Sequence, residues 1–484
     1  MLLEGLEISE VKFSETLMVS RFDSEYFRPS LIKLQRRIQA QPHIKLGEKS
    51  KLITGPFGSE FHVENYDNQS GFRYIRGKDI KSFFVEEDDN VYISNADYIR
   101  LSAHSVKEAD VLISVVGTLG NACIITEKDI SAIFSCKSTA IRRPEINPFY
   151  LVSFLNSQPG KVLLIRNARG TVQLGLNLID LQEIIIPVFS EFLQDAIENL
   201  IKQAQDCLTA AKKAIEITEQ TLLRTLGLEN WQPPKPLTYT RSSRDAFAAG
   251  RLDAEHFQEK YYAACQALKK AGALEFLPIY DLLLSITNGH TPLHHDLTMG
   301  EVPFLCAEHI SDFEINYESE KRILDIHHRT ELARTALRNQ DVLLTIKGRV
   351  GNAAIVEDVP SAVNINQDVA LLRFNKRLPL WYIIAFLNSK FGKLQSEQMC
   401  TGAINPFLGL FSIRQCTIPV FDSSIMEEIA EQTRSKVLAA RKSKRHATEL
   451  LDAAKRAVEI AIESSEAAAL EFLNAATEGG LAST

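Results

Sequence analysis

The sequence predicts an α+β fold: a tandem repeat of two mixed α/β domains separated by two long antiparallel coiled-coil helices. Three observations predict it. Four sequence blocks occur twice in the same order, each copy reads as short β-rich runs between helices, and each copy is followed by a long segment with a heptad seam.

The repeat comes first. Arg21-Phe-Asp-Ser-Glu-Tyr-Phe27 returns as Arg251-Leu-Asp-Ala-Glu-His-Phe257, a shift of 230. Asp110-Val-Leu-Ile113 through Gly117-Thr-Leu-Gly120 to Ala122 returns as Asp341-Val-Leu-Leu344 through Gly348-Arg-Val-Gly351 to Ala353, shifted by 231. Phe154-Leu-Asn-Ser157 and Ile186-Pro-Val-Phe189 return as Phe386-Leu-Asn-Ser389 and Ile418-Pro-Val-Phe421, both shifted by 232. Four blocks at a nearly constant offset define one unit written twice.

Within each unit, amphipathic spacing predicts a helix over Phe27 to Ile38 and Phe257 to Leu268. Phe72 to Arg76, Val302 to Cys306 and Val111 to Val116 read as strands, the last running into a glycine turn. Tyr150 to Asn156 and Trp381 to Asn388 read as short helices, and each unit closes with a strand ending at Pro187 or Pro419.

After each closing strand the pattern changes. Glu191 to Leu226 contains no Pro or Gly, and Ile197, Ile201, Ala204, Leu208, Ala211, Ile215, Thr218 and Leu222 alternate spacings of four and three. That is a coiled-coil seam on a helix roughly 50 Å long. Gly227 is its expected cap. A second helix is expected from about Ser424 to Ala476, with a seam of Val437, Ala440, Lys444, Ala447, Leu451, Ala454, Val458 and Ala461. The resulting segments are 1–190, 191–230, 231–422 and 423–484.

Composition bounds the function. Of 484 residues 45% are hydrophobic and 24% charged, ordinary for a globular protein, and the formal net charge is -7. No apolar run reaches membrane-spanning length, and the acidic start Met1-Leu-Leu-Glu4 lacks the basic region of a signal peptide. A cytoplasmic protein without membrane contact is expected. Seven cysteines, none in CxxC spacing, indicate neither a disulfide framework nor a zinc site, so no metal is expected.

The tandem order, the Asp110 and Asp341 blocks, the Leu-Asn-Ser elements, Gly170-Thr-Val-Gln173, Thr401-Gly-Ala-Ile404 and the Ile-Pro-Val endings together resemble the specificity subunit of type I restriction-modification systems. One departure is visible: Phe189-Ser-Glu-Phe192 and Phe421-Asp-Ser-Ser424 stand where the family often has a second Pro and a Glu-Gln pair. The resemblance implies that 1–190 and 231–422 are target-recognition domains reading the two halves of a split site in double-stranded DNA. It implies a non-catalytic chain whose helices act as a ruler and dock two methyltransferase subunits, with restriction and translocase subunits in the full complex. No cofactor is expected on this chain; S-adenosylmethionine belongs to the partner methyltransferase.

The rival reading is a DNA adenine methyltransferase or an associated enzyme, because Asn147-Pro-Phe-Tyr150 and Asn405-Pro-Phe-Leu408 look like an amine-holding loop. Both lack the second Pro, and the first aligns with Leu378-Pro-Leu-Trp-Tyr382 just before a helix, so no catalytic residue is assigned. The glycine turns lack the GxGxxG context of a cofactor loop. A coiled-coil scaffold is the second rival.

If repeated residues are scaffold, polar residues that differ between the units are the candidate readers, since Arg and Lys suit guanine and Asn and Gln suit adenine. In the first unit these are Arg76, Lys78, Lys137, Lys161, Arg166, Arg169, Thr171 and Gln173, with Lys161, Arg166 and Arg169 expected on phosphates. In the second they are His290, His294, His309, Lys347, Arg349, Gln367 and Asn405. The second long helix carries +6 between Arg434 and Arg456, counting eight Lys and Arg against Glu449 and Asp452. That strip is either a solvated face or one turned to DNA or an acidic partner surface.

Overall fold

The computed structural model describes residues 8–56, 58, 60–67, 71–88, 90–170, 174–292, 299–359, 361–402 and 404–481. The chain divides into two compact units, residues 1–207 with 445–484 and residues 208–444. Each unit therefore takes half of each long helix. Seam residues of the long helices are buried in both units.

The two units are built alike. In unit 1 an antiparallel sheet runs in the order Lys51–Thr54, Ser138–Arg142, Val111–Ser114, Ala122–Ile124, with Leu112 opposite Ala140. In unit 2 the order is Leu283–Asn288, Val369–Phe374, Val342–Thr345, Ala353–Ile355, with Leu343 opposite Leu371. Every residue of Val111–Ser114 and Val342–Thr345 is buried, which explains their unbroken apolar runs. A second small sheet joins Tyr92–Ile93, Phe72–Ile75 and Ala132–Phe134; its counterpart joins Arg322–Ile323, Val302–Leu305 and Asn364–Ile365.

The repeated blocks turn out to be joints. Asp110 takes the Arg142 guanidinium at 2.8–3.1 Å, and Asp341 takes that of Arg373 at 2.8–3.0 Å. Asn156 bonds Ala122 through both N–H and C=O, and Asn388 does the same with Ala353, closing the free edge of a strand with a side-chain amide. Ser157 and Ser389 then cap the helices Gln158–Asn167 and Lys390–Met399. Arg21 and Arg251 cap the other ends of those helices on the carbonyls of Ala168 and Cys400.

The central helix spans Glu191–Thr225. Gly227 ends it with φ +65°, while the Leu228 N–H reaches the Leu223 carbonyl at 2.7 Å. Ile197, Ile201, Ala204, Ala211, Thr218 and Leu222 of its seam are buried. In unit 2 Leu222, Leu223 and Leu226 share one core with Ile429, Ala430 and Val437, so the end of the central helix packs with the start of the last long helix. In unit 1 Ser190, just before the central helix, bonds Glu466 beyond the last long helix. These are the contacts of an antiparallel pair.

The last long helix is Ser423–Glu463, followed by a separate helix Glu466–Leu481. The sequence predicts one helix to Ala476, and the structure divides it. The break falls at Ser464-Ser465, where the Ser465 hydroxyl accepts the Ala468 N–H at 3.2 Å and caps a new helix. No described helix is long and apolar enough to cross a membrane.

Candidate nucleic-acid interface

Each unit presents a glycine turn and a pinched loop side by side. The turn after Val111–Ser114 places Gly117 and Gly120 at φ +88° and +82°; after Val342–Thr345, Gly348 and Gly351 take +70° and +92°. The strands on either side pair antiparallel, so both turns are hairpins. Ser114 and Thr345 lock them by accepting the N–H groups of Asn121 and Asn352 at 3.1 and 2.9 Å.

The pinched loops follow the helices Gln158–Asn167 and Lys390–Met399. Arg169 and Gly175 exchange two backbone hydrogen bonds of 2.8 Å, and Thr401 and Phe407 exchange two of 2.8 and 2.9 Å. Each loop is tied to its hairpin: Leu176 N–H bonds the Val115 carbonyl and Leu408 N–H that of Ile346, both at 3.0 Å. Gly55 and Gly289 lie tight against the backbone at Ser135 and Ile365. A Cβ on Gly55 would lie 2.1 Å from the Ser135 carbonyl oxygen, and one on Gly289 would lie 1.8 Å from that of Ile365, so neither position takes a side chain.

The candidates of unit 1 divide. Lys78 and Lys137 are exposed and adjacent, since Gly77 packs against the Lys137 side chain. Arg169 is exposed beside its loop but held bidentately by Asp180 at 2.8 and 2.9 Å, which raises its pKa. Lys161 is half-buried; burial, and then Lys455, lower its pKa. Arg76 is clamped on the buried Asp79 at 2.8–3.2 Å, which makes it a turn-former first.

Arg166 is a correction. It is buried, stacks 4.1 Å over Tyr26 and donates to the Tyr26 carbonyl at 2.8 Å and to Gln35. It holds two helices together and does not face a phosphate. Thr171 and Gln173 lie outside the described residues.

In unit 2 Lys347, Arg349 and Asn405 are exposed around the hairpin and the pinched loop. Lys347 Nζ lies 3.4 Å from Asp368 and 5.6 Å from the Phe407 ring. Gln367 is half-buried and accepts the Thr291 hydroxyl at 2.7 Å. His290 faces Glu331 at 3.4 Å, and His294 lies outside the described residues.

His309 is a second correction. It stands where unit 1 has Asp79, and its Nδ1 accepts the Cys306 N–H at 3.0 Å. It differs between the units yet caps the same turn. Sequence reasoning missed this because a capping imidazole and a reading imidazole look alike in a sequence.

Cys306, Glu308 and His309 also bring three ligand-type atoms within 4.8 Å of one another. Lys321 Nζ already sits 3.5 Å from the Cys306 sulfur and 3.1 Å from Glu308, placing the protein's own cation in that group. The basic strip is largely engaged as well. Arg441 pairs with Glu357, Lys444 with Glu314, Lys455 with Asp452 and Arg456 with Glu459, while Arg434, Lys442 and Arg445 are exposed.

Asn147 shows what the rival catalytic motif does here. Its carbonyl oxygen caps Pro148–Asn156 by accepting the N–H groups of Phe149 and Tyr150, and its amide donates to Glu198. Both ends of the side chain are spent on structure, leaving nothing for a target amine.

No family model and no curated protein sequence matches the chain. Several solved structures do. The S subunit of the type I restriction-modification system from M. genitalium is 13% identical, with a TM-score of 0.41, over 86% of this chain and 95% of that one. The HsdS subunit from Thermoanaerobacter tengcongensis is 14% identical, with a TM-score of 0.28, over 87% and 96%. A chain from a structure on complex assembly and conformational transition of the type I R-M system is 14% identical, with a TM-score of 0.30, over 88% and 97%.

Proposed function

We propose that the chain is the DNA-specificity subunit of a type I restriction-modification system, with each unit reading one half of a bipartite site. The observation that carries this is the duplicated presentation surface. A hairpin and a pinched loop are fixed by the same joints in both units, while the side chains at matching places on the hairpins differ: half-buried Val116 and exposed Thr118 against exposed Lys347 and Arg349. A rigid frame with exchangeable tips is what two recognition specificities on one scaffold need.

In this reading the chain is non-catalytic. Two methyltransferase subunits dock on it, bring S-adenosylmethionine and modify the DNA; restriction and translocase subunits complete the assembly in the cytoplasm. The net charge of -7 does not oppose the reading, because the cations that matter are local ones at the turns and further ones come from partners.

A tagged chain is the test. It should copurify with a methyltransferase and retard a duplex carrying its site, and alone it should neither methylate nor cleave. Methyl transfer by the isolated chain, with contaminating methyltransferase excluded, would overturn the reading.

A further inference from the structure

Some apolar residues repeat without being buried. Leu17 and Phe22 in unit 1 match Phe247 and Leu252 in unit 2, each 230 positions on. All four are exposed, from 55% at Leu17 to 83% at Leu252. The repeated Asp, Asn, Ser and Arg residues described above join each frame to itself. A large apolar side chain that repeats but stays in water adds little to that frame, and covering it with a partner is favourable.

The backbone holds these side chains in the same way in both units. The short helices Phe13–Val19 and Ser243–Ala249 carry Leu17 and Phe247. Each helix ends at a left-handed residue, Ser20 with φ +51° and Gly250 with φ +62°. Beyond it the Arg21 N–H bonds the Thr16 carbonyl at 3.1 Å, and the Arg251 N–H bonds that of Ala246 at 3.2 Å. The two arginine side chains anchor on the carbonyls of Ala168 and Cys400, while Phe22 and Leu252 stay outside. In unit 1 the exposed Phe13 joins the patch, its ring 6.2 Å from that of Phe22.

The charges that repeat around the patch are mostly acidic. Glu15, Asp23 and Glu25 match Asp245, Asp253 and Glu255. The cation that repeats, Arg21 or Arg251, is already paired with Asp23 or Asp253. Lys12, Arg28, Arg241 and Arg244 have no basic counterpart in the other unit. Repeated acids beside an apolar patch repel a phosphate backbone, so duplex DNA is a poor occupant. They suit a protein surface that sets apolar side chains among basic ones.

One patch per unit calls for one partner in two copies. We infer that each methyltransferase subunit docks on this patch, one copy on Leu17 and Phe22 and the other on Phe247 and Leu252. This rests on the function proposed above and adds a docking surface on the domains to the one expected on the long helices.

Native mass spectrometry of the complex, purified through a tag on this chain, tests it. The wild type should carry two methyltransferase copies. Phe247→Ser with Leu252→Ser should leave one copy, Leu17→Ser with Phe22→Ser should leave one, and all four together should leave none. The substituted side chains are exposed, so urea midpoints by pulse proteolysis should match the wild type. Glu15→Lys with Asp245→Lys keeps the apolar residues and reverses two repeated acids; it should weaken methyltransferase binding about tenfold. Two copies on the folded four-residue variant, or unchanged affinity in the charge variant, would overturn the inference while the function stands. So would a wild-type chain that dimerises alone and loses the dimer in the four-residue variant, since a second copy would then be the occupant. A wild type that carries no methyltransferase would overturn both.

Discussion

His309 does in unit 2 what Asp79 does in unit 1: its Nδ1 accepts the Cys306 N–H at 3.0 Å, as the Asp79 carboxylate accepts the Arg76 N–H at 2.8 Å. The two caps differ in what protonation does to them. An imidazole accepts only when neutral, and burial lowers the His309 pKa from its ordinary 6.5. Below about 6.5 the unfolded imidazole takes a proton that the folded one resists, so the unfolded state binds more protons there. The contribution is present above that value and is lost as pH falls toward the lowered folded pKa. Trp231 and Trp381, the two tryptophans of the chain, both lie in unit 2 and report its unfolding by fluorescence. The urea midpoint should fall between pH 7.5 and 5.5, and His309→Asp should flatten that fall. An equal fall in the variant would show that another group is responsible.

The buried ion pairs should not be equally costly to break. Asp110 and Arg142 are 2% and 10% exposed at the side chain, whereas Asp341 and Arg373 are 4% and 25% exposed. Removing the carboxylate leaves a guanidinium without its partner, which costs roughly 3–5 kcal/mol in a buried pair and less where water reaches it. Asp110→Ala is expected to destabilise unit 1 more than Asp341→Ala destabilises unit 2. Pulse proteolysis in urea measures both; the reverse order would contradict the account.

Two glycines of unit 2 separate steric from conformational need. A Cβ on Gly392 would lie 2.3 Å from the Phe386 carbonyl oxygen, at an ordinary backbone angle, while Gly348 has open space around it but φ +70°. Gly392→Ala must push apart the helices Leu380–Asn388 and Lys390–Met399 and should cost about 4 kcal/mol or more. Gly348→Ala meets only the left-handed penalty of about 1–2 kcal/mol. Denaturant melts by tryptophan fluorescence decide it, and equal costs would show that the helix junction yields.

Lys78 and Lys137 are exposed and close together, a placement that suits phosphate contact if this face meets DNA. Each substitution by Ala should weaken binding to any duplex and reduce the slope of log affinity against log salt by about 0.9. Arg166→Lys should leave that slope unchanged and instead loosen the Tyr26 contact. A smaller slope in Arg166→Lys would restore it to the phosphate-binding group.

The repeat, the strands, the helix pair and the helix start at Pro148 were legible in the sequence because each follows from a local pattern: an offset, an alternation, a seam, a Pro that opens a helix. The long seam was read correctly at Ile197 and Leu222, yet the second helix was drawn too far, since Ser464-Ser465 sits in an otherwise uninterrupted helical composition. The reader residues were harder. Arg166 and His309 satisfied the rule that scaffold repeats and readers differ, but both are spent on carbonyl, aromatic or N–H partners distant in sequence or shared with a turn. A non-repeated residue can still be scaffold when it satisfies the same backbone group with different chemistry.

The central claim is that each unit reads its own half-site. Mapping methylated adenines across the genome of cells carrying the wild-type chain, no chain, or a chimera exchanging residues 20–190 for those of another specificity subunit tests it most directly. The account predicts a bipartite methylated motif that disappears without the chain and, in the chimera, changes in one half while the other stays the same. Methylation that persists without the chain, or a chimera that changes both halves, would contradict it.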